Sequence, residues 1–128
     1  MHLIAGYQEG SLSAIAPLFR PDGTHKNKLL FLGSIEISDY LDLICPQIYK
    51  KEFIRSLLKF IRIENSGIDQ LELHNIPEKS STIELLKEHA EEFGWAPDIQ
   101  PAYHTPVIHL AQDWDTYLVG IDKKQRHE

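Results

Sequence analysis

Several residues in this chain have types and spacings that could do chemistry. Asp39 and Asp42 flank Tyr40-Leu41. Two carboxylates can divide general acid and base work only where both reach the same atom. On a strand, positions three apart point to opposite faces. One of the two could then face a substrate groove, or both could cap and solvate a strand end. His74 and Asn75 come just before Ile76-Pro77, and strand ends in α/β folds are frequent ligand sites. His74 shares its face with Glu72 rather than with Leu71 and Leu73. It reads either as a solvated or satisfied histidine or as a substrate contact or general base. His104 and His109 are five apart and face opposite sides of a strand, so they make poor metal co-ligands. The seven histidines lack carboxylates clustered at ligand spacing, and no metal site is expected. Cys45 is the single cysteine. With no positioned histidine it reads as a small apolar residue rather than a nucleophile.

Composition bounds these readings. The chain has 128 residues, 42% hydrophobic and 25% charged, which suits one soluble domain with a real core. Thirteen basic against nineteen acidic residues leave a formal charge of −6, which argues against a nucleic-acid binder. The one basic cluster, Lys123-Lys124-Gln125-Arg126, lies at the extreme C-terminus. One cysteine excludes an internal disulfide framework and a cysteine zinc site, and it fits a reducing compartment. No apolar run approaches the ~20 residues of a membrane span. The start resembles no signal peptide, so a cytoplasmic location is expected.

The elements that must position these residues are legible in outline. Leu3–Gln8 and Ser11–Leu18 alternate in character around Glu9-Gly10, which predicts a tight hairpin. Pro17 marks an edge position or a strand end. Leu29-Leu30-Phe31-Leu32 predicts a short buried strand closed by Gly33, and Asp39–Ile44 a second strand stopped by Pro46. Phe53, Ile54, Leu57, Leu58 and Ile61 have helical spacing within 51–63. Leu71 and Leu73 alternate with Glu72 and His74 in a further strand ended by Pro77. Ser81 with Glu84 matches a capping box, and that helix runs to about Phe93 with Gly94 as its left-handed cap and Trp95 as an anchor beyond. His104–Leu110 predicts a last strand. Asp113 caps a final helix carrying Trp114, Tyr117, Leu118 and Ile121, which is expected to run to Glu128 without a stop. Both ends of the chain therefore read as abrupt.

The order hairpin, strand, strand, helix, strand, helix, strand, helix is an α/β arrangement with a mixed sheet. It resembles the middle of a GNAT-type acyltransferase fold. The segments Ser38–Ile44, Leu71–Pro77, Pro106–Leu110 and Trp114–Leu118, followed by Lys123–Glu128, resemble the amino-terminal lobe of the two-lobed CelD-like and Fem-type acyltransferases. This resemblance implies an incomplete GNAT-like lobe with an N-terminal β-hairpin and a missing C-terminal lobe as its partner. It also implies a small-molecule amine or hydroxyl acceptor, and an acetyl-CoA or other acyl-CoA donor for the whole protein. Lys124 and Arg126 would line the space between the lobes and meet an anionic group there. In a lobe that holds acyl-CoA the strand-to-helix turn is glycine-rich and its free N–H groups hold the pyrophosphate. Here that turn, Ile44–Phe53, has no glycine, although Lys50 and Lys51 could attract phosphate. This chain is therefore expected to bind no acyl-CoA and to be inactive alone, with Asp39, Asp42, His74 and Asn75 as acceptor contacts. The alternative is a stand-alone binding module or homodimer, because a truncated sheet leaves an edge strand and an uncovered face, or a fragment with no catalytic role.

Overall fold

The computed structural model describes residues 2–23, 26–33, 37–64, 67–104 and 106–121. Four strands form one mixed sheet in the order β1-β2-β3-β4: β1 (His2–Gln8), β2 (Ser11–Phe19), β3 (Lys28–Phe31) and β4 (Gln70–Glu72). β1, β2 and β3 are successively antiparallel, and β4 runs parallel to β3. Between those two parallel strands lies helix α1 (Gln47–Glu64), the crossover that a parallel pair requires. Helix α2 (Ser81–Ala90) follows β4 and tightens into a 3₁₀ turn at Glu91–Phe93.

The hairpin forms as expected. Glu9 (φ 49°) and Gly10 (φ 80°) are both left-handed, the type I′ turn whose twist matches its strands. A bulge between Gly6 and Tyr7 shifts the register. The Ser13 hydroxyl donates to the Gly6 carbonyl at 3.1 Å and satisfies it there. Gly6 itself is required by packing: a Cβ would stand 2.8 Å from Cδ2 of Phe53 in α1.

Pro17 proves to sit in an interior strand rather than at an edge. Ile15 exchanges both backbone hydrogen bonds with Ile44, at 2.8 and 3.0 Å, and the Pro17 carbonyl accepts from Leu32 N at 2.8 Å. Among the described residues none between Leu32 and Ile44 pairs with β2, so the missing Pro17 N–H falls where no described acceptor is paired. For the same reason the expected Asp39–Ile44 strand is not one. Only Ile44 bridges to β2; Leu41 N instead reaches the Asn75 carbonyl at 3.0 Å, and Leu43 N turns back to the Asp42 carboxylate.

α1 and α2 cover one face of the sheet. Ala14, Ala16 and Leu18 of β2 and Leu29 and Phe31 of β3 are buried against Phe53, Ile54, Leu57, Leu58 and Ile61 of α1. Each large apolar side chain buried in this way contributes roughly 1.5–3 kcal/mol. Ion pairs staple α1 to α2: Lys51–Glu88 at 2.7 Å and Arg55–Glu92 at 3.0 Å. His89 is buried between them. Its Nδ1 lies 2.6 Å from Glu92 Oε1; its Nε2 is 3.5 Å from Glu88 Oε1 and makes no hydrogen bond.

The end of α2 also matches expectation. Gly94 is left-handed (φ 74°) and donates to the Glu91 carbonyl, while Trp95 N reaches the Ala90 carbonyl. This is the Schellman pattern with a hydrophobic residue beyond it. Arg62 lies 5.5 Å over the Trp95 ring. The start of α2 differs by one residue. Ser80, not Ser81, is the N-cap and accepts from Thr82 N, because the Ser80 side chain also has a partner across the fold, described below.

Among the described residues no helix covers the opposite face of the sheet. Cross-strand pairs Leu3–Pro17, Ala5–Ile15 and Tyr7–Leu12 line it, and Leu3, Tyr7 and Leu12 are more than half exposed. Beyond Trp95 most of the described residues, 96–104 and 106–121, are exposed. The expected last strand is absent from 106–110, where Val107, Ile108 and Leu110 face solvent; a strand needs a neighbour, and β4 pairs only with β3. Helix α3 (Trp114–Gly120) is capped by Asp113, as expected, with Trp114 stacked on Tyr117 at 5.4 Å. It stops at Gly120, and Ile121 is extended, so the expected unbroken helix from Asp113 onward does not form. Glycine's freedom favours the stop.

Candidate functional site

Two polar clusters form at the β3–β4 side of the sheet. The first centres on Asp42. Ile44 bridges to β2, and Asp42, two residues before it, lies at the N-terminal ends of α1 and α2. Asp42 Oδ1 accepts from Leu43 N at 2.7 Å and from Thr82 Oγ1 at 2.5 Å. Asp42 Oδ2 accepts from Ser80 Oγ at 2.5 Å and from Lys50 Nζ at 3.2 Å. Ser80 thus caps α2 through its oxygen and donates its proton to Asp42. Thr82 is fully buried and Lys50 is 7% exposed.

A carboxylate has about four acceptor positions, and here four protein donors fill them. Burial pushes the Asp42 carboxyl up, but Ser80, Thr82, the Leu43 amide and Lys50 together hold it below its ordinary value. At neutral pH Asp42 is an ionised clamp joining the return of β3 to both helices.

The turn beside this clamp is Ile44-Cys45-Pro46-Gln47. Both of its lysine neighbours are engaged, Lys50 with Asp42 and Lys51 with Glu88. Gln47 accepts from the Ser81 hydroxyl at 2.9 Å. Burial pushes the Cys45 thiol up, against a smaller pull from Lys50, and its sulfur lies 3.4 Å from the Pro46 carbonyl. A thiol with raised pKa is a poor nucleophile. The turn contains no glycine, and both of its lysines are paired.

The second cluster lies on the open face. Pairing of Lys28 with Gln70 and of Leu30 with Glu72 places residues 28, 30, 70 and 72 on one side, away from buried Leu29. Glu72 Oε2 meets Lys28 Nζ at 2.9 Å, and Glu72 Oε1 meets His74 Nε2 at 2.8 Å. The Lys28 hydrogen bond, then that of His74, holds Glu72 below its ordinary value against slight burial. His74 is about one-third exposed, and its Nδ1 has no hydrogen-bond partner among the described residues. A carboxylate on one imidazole nitrogen orients the ring and leaves the other nitrogen to take a proton.

The structure places the sequence candidates differently from one another. Asn75 is left-handed (φ 60°), and its amide donates to the Ser38 carbonyl at 2.7 Å while its own carbonyl accepts from Leu41 N. It therefore ties the Asp42 segment to the end of β4. Asp39 is exposed and has no hydrogen bond among the described residues. Lys124 and Arg126 lie outside the described residues. Among the described residues no three metal-ligating side chains cluster.

Sequence reasoning missed Lys50, Ser80 and Thr82 as partners of Asp42 and Lys28 as the partner of Glu72; it put His74 on the face of Glu72 without pairing the two. The alternation of Gln70, Glu72 and His74 was a usable signal for Glu72; nothing local pointed to Lys28. Comparison of the chain with family models, curated proteins and solved structures finds no match.

Proposed function

We propose that this chain is the lobe of a GNAT-type N- or O-acyltransferase that does not hold acyl-CoA, and that it supplies acceptor contacts and one wall of the cleft. The observation that carries this reading is the state of the strand-to-helix turn. Antiparallel β1–β2–β3 leads through α1 into parallel β4, yet the turn into α1 has its lysines bound to Asp42 and Glu88 and no glycine. Such a turn offers a pyrophosphate neither a free lysine nor a glycine for close backbone approach. The donor and the groups that stabilise its reacting carbonyl then belong to a second lobe. On this lobe His74, held by Glu72, is positioned to take the proton of a small-molecule acceptor at Nδ1. Asp42 and Asn75 act by fixing the segment beside it.

No helix among the described residues is long and apolar enough to cross a membrane. The compartment that suits the reading is the cytoplasm, where a free thiol such as Cys45 stays reduced.

Calorimetric titration of acetyl-CoA into the purified chain tests the division of labour. No saturable heat is expected at millimolar ligand, and tight binding by this chain refutes it. Reading the gene past the codon for Glu128 tests the two-lobed architecture: a second α/β lobe with a glycine-rich strand-to-helix turn is expected, and an immediate stop codon refutes it. One observation favours a second reading, a self-associating module: the open apolar face.

A further inference from the structure

We infer that residues 106–110 are a strap poised to close on the outer edge of β4 in the same chain, as a further parallel strand. β4 ends the sheet, and among the described residues no strand lies beyond it. Gln70 N reaches the Asn27 carbonyl at 3.2 Å, which turns the Gln70 backbone toward β3. Backbone groups alternate along a strand, so the N–H and C=O of Leu71 point outward, to the side where no strand is described. An edge left this way is a template for another strand.

Topology names the occupant. α1 is the crossover from β3 to β4, and it returns the chain to the start of β4. α2 packs beside α1 and runs in the same direction, because Lys51 pairs with Glu88 and Arg55 with Glu92 in the same order along both helices. It therefore brings the chain back to that same end of the sheet. Crossovers between parallel strands are right-handed in about 98% of cases. Two crossovers of one hand, with their helices on one face, step across the sheet in one direction, and the step after β4 lands on its outer edge. An extended chain from Trp95 to Pro106 spans up to about 36 Å, ample to leave the helix layer and enter a strand position about 4.8 Å beyond β4.

The segment has the composition of such a strand. Pro106 stands first, where a strand tolerates a residue without an N–H. Ile108 and Leu110 share one face, and Val107 and His109 the other. Ile108 is 70% and Leu110 82% exposed. Leu71 aligns with buried Leu29 and packs against the core beneath the helices, so Ile108 and Leu110 belong on that side and His109 on the side of Glu72 and His74. One movement takes apolar surface and unpaired backbone out of water together. Closure of the strap is independent of any acyltransferase activity.

Amide hydrogen exchange of the whole chain, followed residue by residue by NMR, is the test. The Leu71 amide and alternate amides within 107–110 should exchange at least roughly tenfold more slowly than in an unstructured chain, equally at low and high protein concentration. Ile108→Asp combined with Leu110→Asp should speed exchange at Leu71 by roughly the same factor and leave α1 protected, because neither side chain is part of the core. Unprotected amides throughout 107–110 overturn the inference. So does a Leu71 amide indifferent to the double variant, and so does protection that grows with concentration, which would put a second copy's strand on the edge.

Discussion

Replacing Asp42 by alanine should be the most damaging single polar change in this chain. It removes the acceptor for the Leu43 amide, the Ser80 and Thr82 hydroxyls and the Lys50 ammonium at once. A hydrogen bond to a charged group is worth about 1.5–3 kcal/mol, but only groups that water cannot reach lose that in full. The Asp42 side chain is 28% exposed, so Ser80 and Leu43 can turn to solvent. Thr82, at 0%, and Lys50, at 7%, cannot. Thr82 loses its acceptor and Lys50 keeps only the Ser80 hydroxyl at 3.5 Å, which sets the loss at about 3–4 kcal/mol, within the range for breaking a buried pair from one side. Lys50→Met keeps the stem packed and leaves Asp42 three donors, so about 1 kcal/mol is expected. Urea unfolding followed by circular dichroism measures both, with the slope unchanged. The reasoning is refuted if Asp42→Ala falls within about 0.5 kcal/mol of the wild type, or if Lys50→Met is the worse of the two.

Acid should act through the same group. The native Asp42 pKa lies below its ordinary value of 3.8, so its contribution is complete above that value and is lost as pH falls through the native one. Asp42→Asn should flatten the acid limb of a stability–pH curve in that window; an unchanged limb counts against the clamp. Gly6→Ala pushes a methyl group against the Phe53 ring and should cost about 1–3 kcal/mol in urea unfolding, relieved by Phe53→Leu in a double-mutant cycle. Gly94→Ala, at φ 74°, should cost about 1 kcal/mol and lower the thermal midpoint. Lys51→Ala breaks a pair with both side chains more than half exposed, and its effect should stay within about 0.5 kcal/mol.

Local chemistry made part of this molecule readable before any coordinates. The five apolar residues of α1 repeat at 3.6-residue spacing and are all buried. Glu9-Gly10 has the glycine its turn needs, and Gly94 with Trp95 carries the signature of a helix end. In each case the determining contacts lie within a few residues, so composition and spacing suffice.

Where the deciding partner was distant, the sequence was silent or misleading. Asp42 meets Ser80 and Thr82 across 38 and 40 residues, and Lys28 meets Glu72 across 44. Choosing Ser80 over Ser81 as the cap depends on that reach to Asp42. Asp39–Ile44 and His104–Leu110 have strand-like character, but a strand exists only where a neighbour takes its hydrogen bonds. One segment spends them on Asn75 and Asp42, and residues 106–110 lie beside no strand. Whether β2's apolar odd positions would be covered was likewise undetermined, because alternation assigns two faces without saying which of them meets a helix. Residue periodicity determined the elements; only the tertiary structure decided which polar groups share an atom and which apolar face is left open.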